Sequence, residues 1–159
     1  MARTPRGAPM NGFALDDISK RIIEQLQEDG RRSYASIGKA VGLSEAAVRQ
    51  RVQRLTESGV MQVVAVTDPL TLGFRRQAMF GVKCEGDLEE VAARLSAIDE
   101  IDYVVITGGS FDLLLEAVCE DDDHLLEILS QVRSVPSVTS SETFVYLKLC
   151  KQTYSWGTR

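Results

Sequence analysis

The sequence predicts an α+β chain: a three-helix head containing a helix-turn-helix, a hinge strand, and a C-terminal βαββαβ domain. Three observations predict it. Ser33 to Gly59, SYASIGKAVGLSEAAVRQRVQRLTESG, places apolar residues at 37, 41, 43, 48, 52 and 55 with helical spacing on both sides of Gly42-Leu43-Ser44. After Gly59 the pattern changes to short β-branched runs separated by two amphipathic stretches. Charge divides at the same place. Residues 1–60 hold ten Lys/Arg against seven Asp/Glu, net +3, and residues 61–159 hold eight against sixteen, net −8.

Residues 1–12, with Pro5, Pro9, Gly7 and Gly12 beside Arg3 and Arg6, read as a disordered arm. The head occupies 13–60. Its first helix is LDDISKRIIEQLQEDG, with Asp16 suited to the N-cap, Asp17 adding negative charge to the first turn and Gly30 as the stop. Ile18, Ile22 and Leu26 would pack on Ile37, Val48, Val52 and Leu55. In the second and third helices, Gly42 can take the left-handed conformation that ends one, Leu43 can plug the corner, and Ser44 can cap the next. Two short helices joined this way form a helix-turn-helix, whose second helix is shaped for the DNA major groove.

VMQVVAVTDP, from Val60, is β-branched and stops at Asp68-Pro69, so 61–74 is expected to be a hinge strand and linker. The second domain spans 75–150. Strands are expected at 77–85, 103–108, 111–119 and 137–150, and helices at 87–98 and 121–135, in the order β-α-β-β-α-β of the ferredoxin-like split βαβ unit. Two helices cover one face of such a sheet and leave the other for a second copy, which predicts a homodimer. The tail 151–159, KQTYSWGTR, carries the only Trp, Trp156, and is expected to pack on a partner subunit.

Composition narrows the function classes. No apolar run reaches a membrane-spanning length, and MARTPRGAPMNG lacks the apolar core of a signal sequence, so a cytoplasmic location is expected. The three cysteines, Cys84, Cys119 and Cys150, are far apart and form no CxxC pair, which reads as idle thiols rather than zinc ligands or a disulfide framework. His124 is the only histidine, with no second basic group to share proton transfer.

Projecting the third helix at about 100° per residue puts Val48, Val52 and Leu55 on one side and Ala46, Arg49, Gln50, Gln53 and Arg54 on the other. Arg and Gln read guanine and adenine edges bidentately, and a small residue permits close approach. Arg49 and Gln50 are the candidates for base edges, with Ala46 and Gln53 beside them. Arg51 and Arg54 are candidates for phosphate, together with Ser33, Tyr34, Ser36 and Ser44 near helix starts. Arg51 flanks the buried stripe, so pairing with a first-helix acid such as Asp17 is an equal alternative. In the C-terminal domain, Gly108, Gly109 and Ser110 can be a plain hairpin turn. Their backbone amides can also receive a carboxylate, with Asp112 on the α-ammonium of a free amino acid. Thr139, Ser140, Ser141 and Glu142 are weaker candidates to line that pocket. The row Asp121, Asp122, Asp123 reads as a solvated helix cap.

LDD at the head of the first helix, GLS-x3-V-x2-RV-x2-L in the motif and TGGSFDLLL in the second domain together resemble the Lrp/AsnC family of bacterial and archaeal feast/famine regulators, over about residues 13 to 148. The resemblance implies a nucleoid-associated transcription factor bound to operator DNA. It also implies dimers assembling into octamers, and an amino-acid effector at Thr107, Gly108, Gly109, Ser110, Phe111 and Asp112. This chain departs from the family's pattern at Ser19, where a second aspartate is usual, and at Gly38, where alanine is usual. Two alternatives stay open: a ligand-sensing RAM-type module without DNA binding, and an enzyme resembling the siroheme decarboxylases.

Overall fold

The computed structural model describes residues 15–159, so the arm expected over 1–12 lies outside the described residues. The chain divides into two compact units, one formed by residues up to Ala65 together with Lys151–Arg159, the other by Val66–Cys150.

The first unit contains α1 (Asp17–Glu28), α2 (Tyr34–Val41) and α3 (Glu45–Glu57). Short polar side chains start all three. Asp16 accepts from Ser19 N at 2.7 Å, Ser33 from Ser36 N at 3.2 Å and Ser44 from Ala47 N at 3.3 Å, each satisfying an amide that helix geometry leaves free. α1 ends at Glu28, two residues before the expected Gly30, with Asp29 as its C-cap and the Asp29 carboxylate accepting from Arg31 N at 2.9 Å. α2 ends as the sequence predicts. Gly42 has φ 78° and ψ 34°, and the amides of Gly42 and Leu43 both donate to Gly38 O, at 2.8 and 2.9 Å. Ile22, Leu26, Ile37, Val41, Val48 and Val52 form the core, with Ile18, Tyr34, Leu43 and Met61 packed around it. Gly38 is the close-approach point. A Cβ there would lie 2.5 Å from the carbonyl oxygen of Leu43, so this α2–α3 corner has no room for the family's usual alanine without moving backbone.

The hinge strand expected over 61–68 is not formed. The segment has no regular secondary structure and joins no ladder among the described residues, and Val63, Val64 and Val66 are 56%, 68% and 58% exposed. β-branched residues favour extended backbone, but a strand also needs a hydrogen-bonded neighbour. Residues 69–73 form turns, consistent with a linker.

The second unit is the expected βαββαβ: β1 (Arg76–Cys84), α4 (Leu88–Leu95), β2 (Ile101–Ile106), β3 (Leu113–Cys119), α5 (Asp122–Ser134) and β4 (Val138–Val145). The sheet order is β2-β3-β1-β4 with every neighbour antiparallel. Ala78, Phe80 and Val82 of β1 and Leu113, Leu115, Ala117 and Cys119 of β3 alternate onto one buried face, where Val91, Leu95, Ile128 and Val132 of the two helices complete the core. β4 ends earlier than expected: after Val145↔Ala78 one bond remains, Tyr146 N to Gln77 O, and Leu147 beyond it is 94% exposed. The cause is the partner strand, since β1 begins at Arg76.

Across the other face, Tyr103, Glu116, Met79 and Phe144 stand in register as one row over all four strands. Tyr103 and Phe144 are 44% and 42% exposed, so this domain's own helices leave the face uncovered. Gln77 Nε2 donates to Glu116 Oε1 at 2.6 Å, and burial followed by the neighbouring Glu116 carboxylate pushes the Tyr146 hydroxyl up to about 12. Cys84, Cys119 and Cys150 are free thiols, and burial raises Cys119 to about 11, well away from reactive thiolate.

The tail turns back to α1 of its own chain. Gly157 N donates to Gln27 Oε1 at 3.0 Å and the Thr158 hydroxyl to Glu24 Oε1 at 2.5 Å, while Trp156 remains 74% exposed.

The left-handed corner makes a direct stability prediction. Gly42→Ala places a Cβ in a conformation that costs an L-residue about 1–2 kcal/mol. The denaturant midpoint of the full chain's head transition should fall with an unchanged slope.

Candidate nucleic-acid interface

α3 presents the face the sequence predicts. Val48, Val52 and Leu55 are 0%, 5% and 1% exposed, whereas Ala46, Arg49, Gln50, Gln53 and Arg54 are all exposed. Ser33, Ser36 and Ser44 are exposed beside it at the starts of α2 and α3, two of them already accepting cap bonds through their hydroxyls. Those hydroxyls can still donate outward.

Three side chains differ in detail from the sequence reading. Arg51 is tied to α1: its Nη1 donates to Asp16 Oδ2 at 2.6 Å and to Ser19 Oγ at 3.0 Å. The acid is therefore Asp16 rather than Asp17, because the capping residue turns its carboxylate across the start of α1 toward α3. The same contact explains Ser19, the one buried polar residue among those described, whose hydroxyl serves Arg51. Tyr34 is half-buried, and its ring lies under Arg49, with the guanidinium carbon 5.2 Å from the centroid. Glu45, absent from the sequence candidates, accepts from Arg49 Nη2 at 2.7 Å. The i,i+4 spacing of Glu45 and Arg49 on one helix is the signal that could have found it.

The second candidate region is the β2–β3 hairpin. Gly108, Gly109 and Ser110 are exposed at its tip, and its base is closed by Thr107 N donating to Asp112 O at 2.9 Å. The Thr107 hydroxyl donates to Phe111 O at 2.5 Å. Asp112 is anchored to β1 from both ends: its amide donates to Val82 O at 2.9 Å and its Oδ2 accepts from Cys84 N at 2.9 Å. That second bond sits where the β1–β4 register shifts between Lys83 and Cys84, so the carboxylate satisfies an amide beside an irregular stretch of the ladder. Phe111 folds onto the uncovered sheet face. A Cβ on Gly81 would lie 2.7 Å from the Phe111 ring, and Phe111 meets Phe144 edge-on at 5.9 Å. Gly81 thus forms the seat for Phe111, a relation that sequence spacing did not show. Ser141 is engaged elsewhere, accepting from Arg133 Nε at 2.9 Å. The aspartate row acts as a cap: Asp121 accepts from His124 N, and Asp122 forms a forked pair with Arg76 at 2.5 and 3.0 Å. Among the described residues, no His/Cys/Asp/Glu group is arranged to hold a metal ion, and no helix is long and apolar enough to cross a membrane.

Comparison with known proteins decides the family. A model of the AsnC-type helix-turn-helix domain matches residues 15–56, and one described as a C-terminal dimeric alpha+beta barrel domain matches 74–159. The chain belongs to the Lrp/AsnC family of transcriptional regulators. The HTH-type transcriptional regulator FL11 of Pyrococcus furiosus is 37% identical over 141 residues, 87% of this chain and 93% of that protein. The proline dehydrogenase transcriptional activator of Rhizobium radiobacter is 34% identical over 145 residues, with 87% and 93% covered. Among solved structures, the leucine response regulatory protein LrpA of Mycobacterium tuberculosis superposes with a TM-score of 0.78 at 25% identity, covering 87% of this chain and 96% of that one. The Neisseria meningitidis regulator NMB0573, solved as an L-Met complex, gives 0.73 at 26% identity, with 89% and 96% covered. This Lrp/AsnC regulator thus has a DNA-binding helix-turn-helix and a C-terminal domain of the dimeric class, and its relatives regulate transcription rather than catalyse reactions.

The Asp16–Arg51 contact sets an acid limit on the head. The Arg51 guanidinium, then the Ser19 hydroxyl and amide, lower the Asp16 carboxyl from 3.8 to about 2. A carboxyl lowered on folding contributes stability that is complete above its unfolded value and lost as pH falls through its folded one. Asp16→Asn keeps a capping acceptor without the charge. Melts of both proteins from pH 5 downward should differ by a constant amount above 3.8 and converge toward about 2.

Proposed function

We propose that this regulator recognises a specific operator through α3 and that an amino-acid effector changes its assembly or its affinity for that operator. The observation that carries the DNA reading is the sidedness of α3. Arg49, Gln50 and Gln53 stand in solvent on the face opposite the fully buried Val48, with Arg54 and the small Ala46 beside them. In this reading Arg49 and Gln50 contact base edges, Ala46 and Gln53 flank them, and Arg54 with Ser33, Ser36 and Ser44 holds phosphates. Arg51 serves the α1–α3 contact first and meets phosphate only with the edge that Asp16 leaves.

The effector reading is supported by the relative solved with L-Met and by the chemistry at 107–112. Exposed amides at Gly108, Gly109 and Ser110 suit a carboxylate, and Thr107 and Asp112 offer oxygens to an ammonium. One Asp112 oxygen already accepts from Cys84 N, so ligand held by the other would report directly on β1. Phe111, seated on the uncovered sheet face, joins the same loop to the surface that we assign to dimer association. An effector that favours one assembly over another shifts the population by its difference in affinity, and the spacing of the heads follows. Octamers, as tetramers of dimers, are the assembly we assign to the regulatory state.

Arg49→Ala should lower operator affinity by about 1–3 kcal/mol, the size of a lost base contact, with a much smaller loss on random DNA. Equal losses on both would make Arg49 a phosphate contact. For the effector, sedimentation velocity and operator titration with a panel of free amino acids should show at least one that alters assembly or affinity. No response to any member would remove that half of the reading.

A further inference from the structure

The geometry points to Glu45 as a specificity-determining residue, and to Tyr34 as the positioning residue for Arg49, which together restrict the recognition helix to a guanine with its cytosine partner at hand. This inference rests on the reading of Arg49 as a base contact. Arg49 is held on two sides: Glu45 Oε1 takes its Nη2 at 2.7 Å, and the Tyr34 ring lies under its guanidinium carbon at 5.2 Å. Tyr34 does not float. It packs against the core of the head, so the bed it offers is fixed by that apolar cluster rather than by solvent.

Glu45 calls for a reason. As the first residue of α3, its charge favours the helix start, as Asp17 does in α1, but that role is open to any acid in the first turn. Its side chain and that of Arg49 are 52% and 63% exposed, and an ion pair that open contributes little to folding. On the face that meets DNA, a carboxylate raises the cost of approaching any phosphate, whatever the sequence. The cost is offset where the carboxylate gains a donor, and in the major groove that donor is the N4 amino group of cytosine. The guanidinium has five N–H groups, so after one is given to Glu45 a pair remains for guanine O6 and N7. A guanidinium held between a ring and a carboxylate also loses less freedom on binding than a free arginine, because Tyr34 and Glu45 already restrict it. Discrimination then comes from two directions: a rewarded G·C pair and a penalty on everything else.

The test uses the full chain. Selection from a randomised duplex pool defines the wild-type site, and wild type, Arg49→Ala, Glu45→Gln, Tyr34→Phe and Tyr34→Leu are titrated on that duplex and on random DNA. Glu45→Gln should bind random DNA roughly fivefold tighter at 0.15 M salt, the counterion equivalent of one charge. It should also lose preference at one G·C position. Weakened folding cannot produce this result, since it lowers binding to both duplexes. Tyr34→Phe should keep operator affinity and Tyr34→Leu should lose it severalfold, because the ring face and not the hydroxyl is used. If Arg49→Ala loses operator preference while Glu45→Gln changes neither random-DNA affinity nor base preference, the role of Glu45 is overturned and the reading of Arg49 stands. If Tyr34→Phe loses as much as Tyr34→Leu, the positioning role is overturned in favour of a hydroxyl contact. A wild type that selects no site overturns both readings.

Discussion

The corner at Gly42-Leu43-Ser44 is the constraint on which the rest of the DNA-binding head depends. One carbonyl, that of Gly38, receives both amides that follow the end of α2, and the chain can meet it only because Gly42 is left-handed. The Leu43 carbonyl then comes so near Gly38 that no side chain fits between them. Ser44 starts α3 immediately, so the azimuth of α3, and with it the outward direction of Arg49 and Gln50, is set within three residues. Val48, Val52 and Leu55 hold that azimuth by burial, and Arg51 pins the same helix to the start of α1 through Asp16 and Ser19. A polar face is useful for reading bases only if its rotation is fixed, and here apolar packing and one ion pair fix it from opposite sides.

Much of this was legible before any coordinates, and the reasons are local. Ser33, Ser44 and Asp16 announce helix starts because a short oxygen-bearing side chain can reach an amide two or three residues on. The βαββαβ order followed from alternation, and β3 shows it cleanly in Leu113, Leu115, Ala117 and Cys119. What failed depends on contacts distant in the chain. Residues 61–68 have strand composition but no partner among the described residues, and β4 stops where β1 begins rather than where its own apolar residues end. Asp16 and Asp17 are neighbours that spacing cannot separate, and only the cap geometry turns the first toward Arg51. At the β2–β3 turn, the sequence ran one strand to 108 and began the next at 111, whereas β2 ends at Ile106 and β3 starts at Leu113. It could not show that Asp112 bonds the Cys84 amide or that Phe111 rests on Gly81, 30 positions earlier.

The two halves of the chain solve their electrostatics differently. In the head, acidic side chains near the basic ones are spent on arginines: Asp16 on Arg51, Glu45 on Arg49, Glu28 on Arg32. These pairs fix the direction of guanidinium groups that would otherwise sweep a wide arc. In the sheet domain the uncovered face has few charges, and Glu116 is held among Gln77 and Tyr146. A face whose central row is mostly apolar, with Glu116 satisfied within it and Lys83 and Glu142 exposed toward one end, suits association with a copy of itself.

The C-terminal tail carries a practical consequence. Residues 151–159 belong with α1–α3 although they follow β4, and Gly157 and Thr158 bond to Gln27 and Glu24. The polypeptide therefore passes from one unit to the other twice, and a recombinant head ended at Ala65 would lack a piece of its own fold. The indole of Trp156, the sole one in the chain, rides on that returning piece. Fluorescence excited selectively at tryptophan is consequently a gauge of the DNA-binding half, whereas Tyr103 and Tyr146 report from the sheet unit.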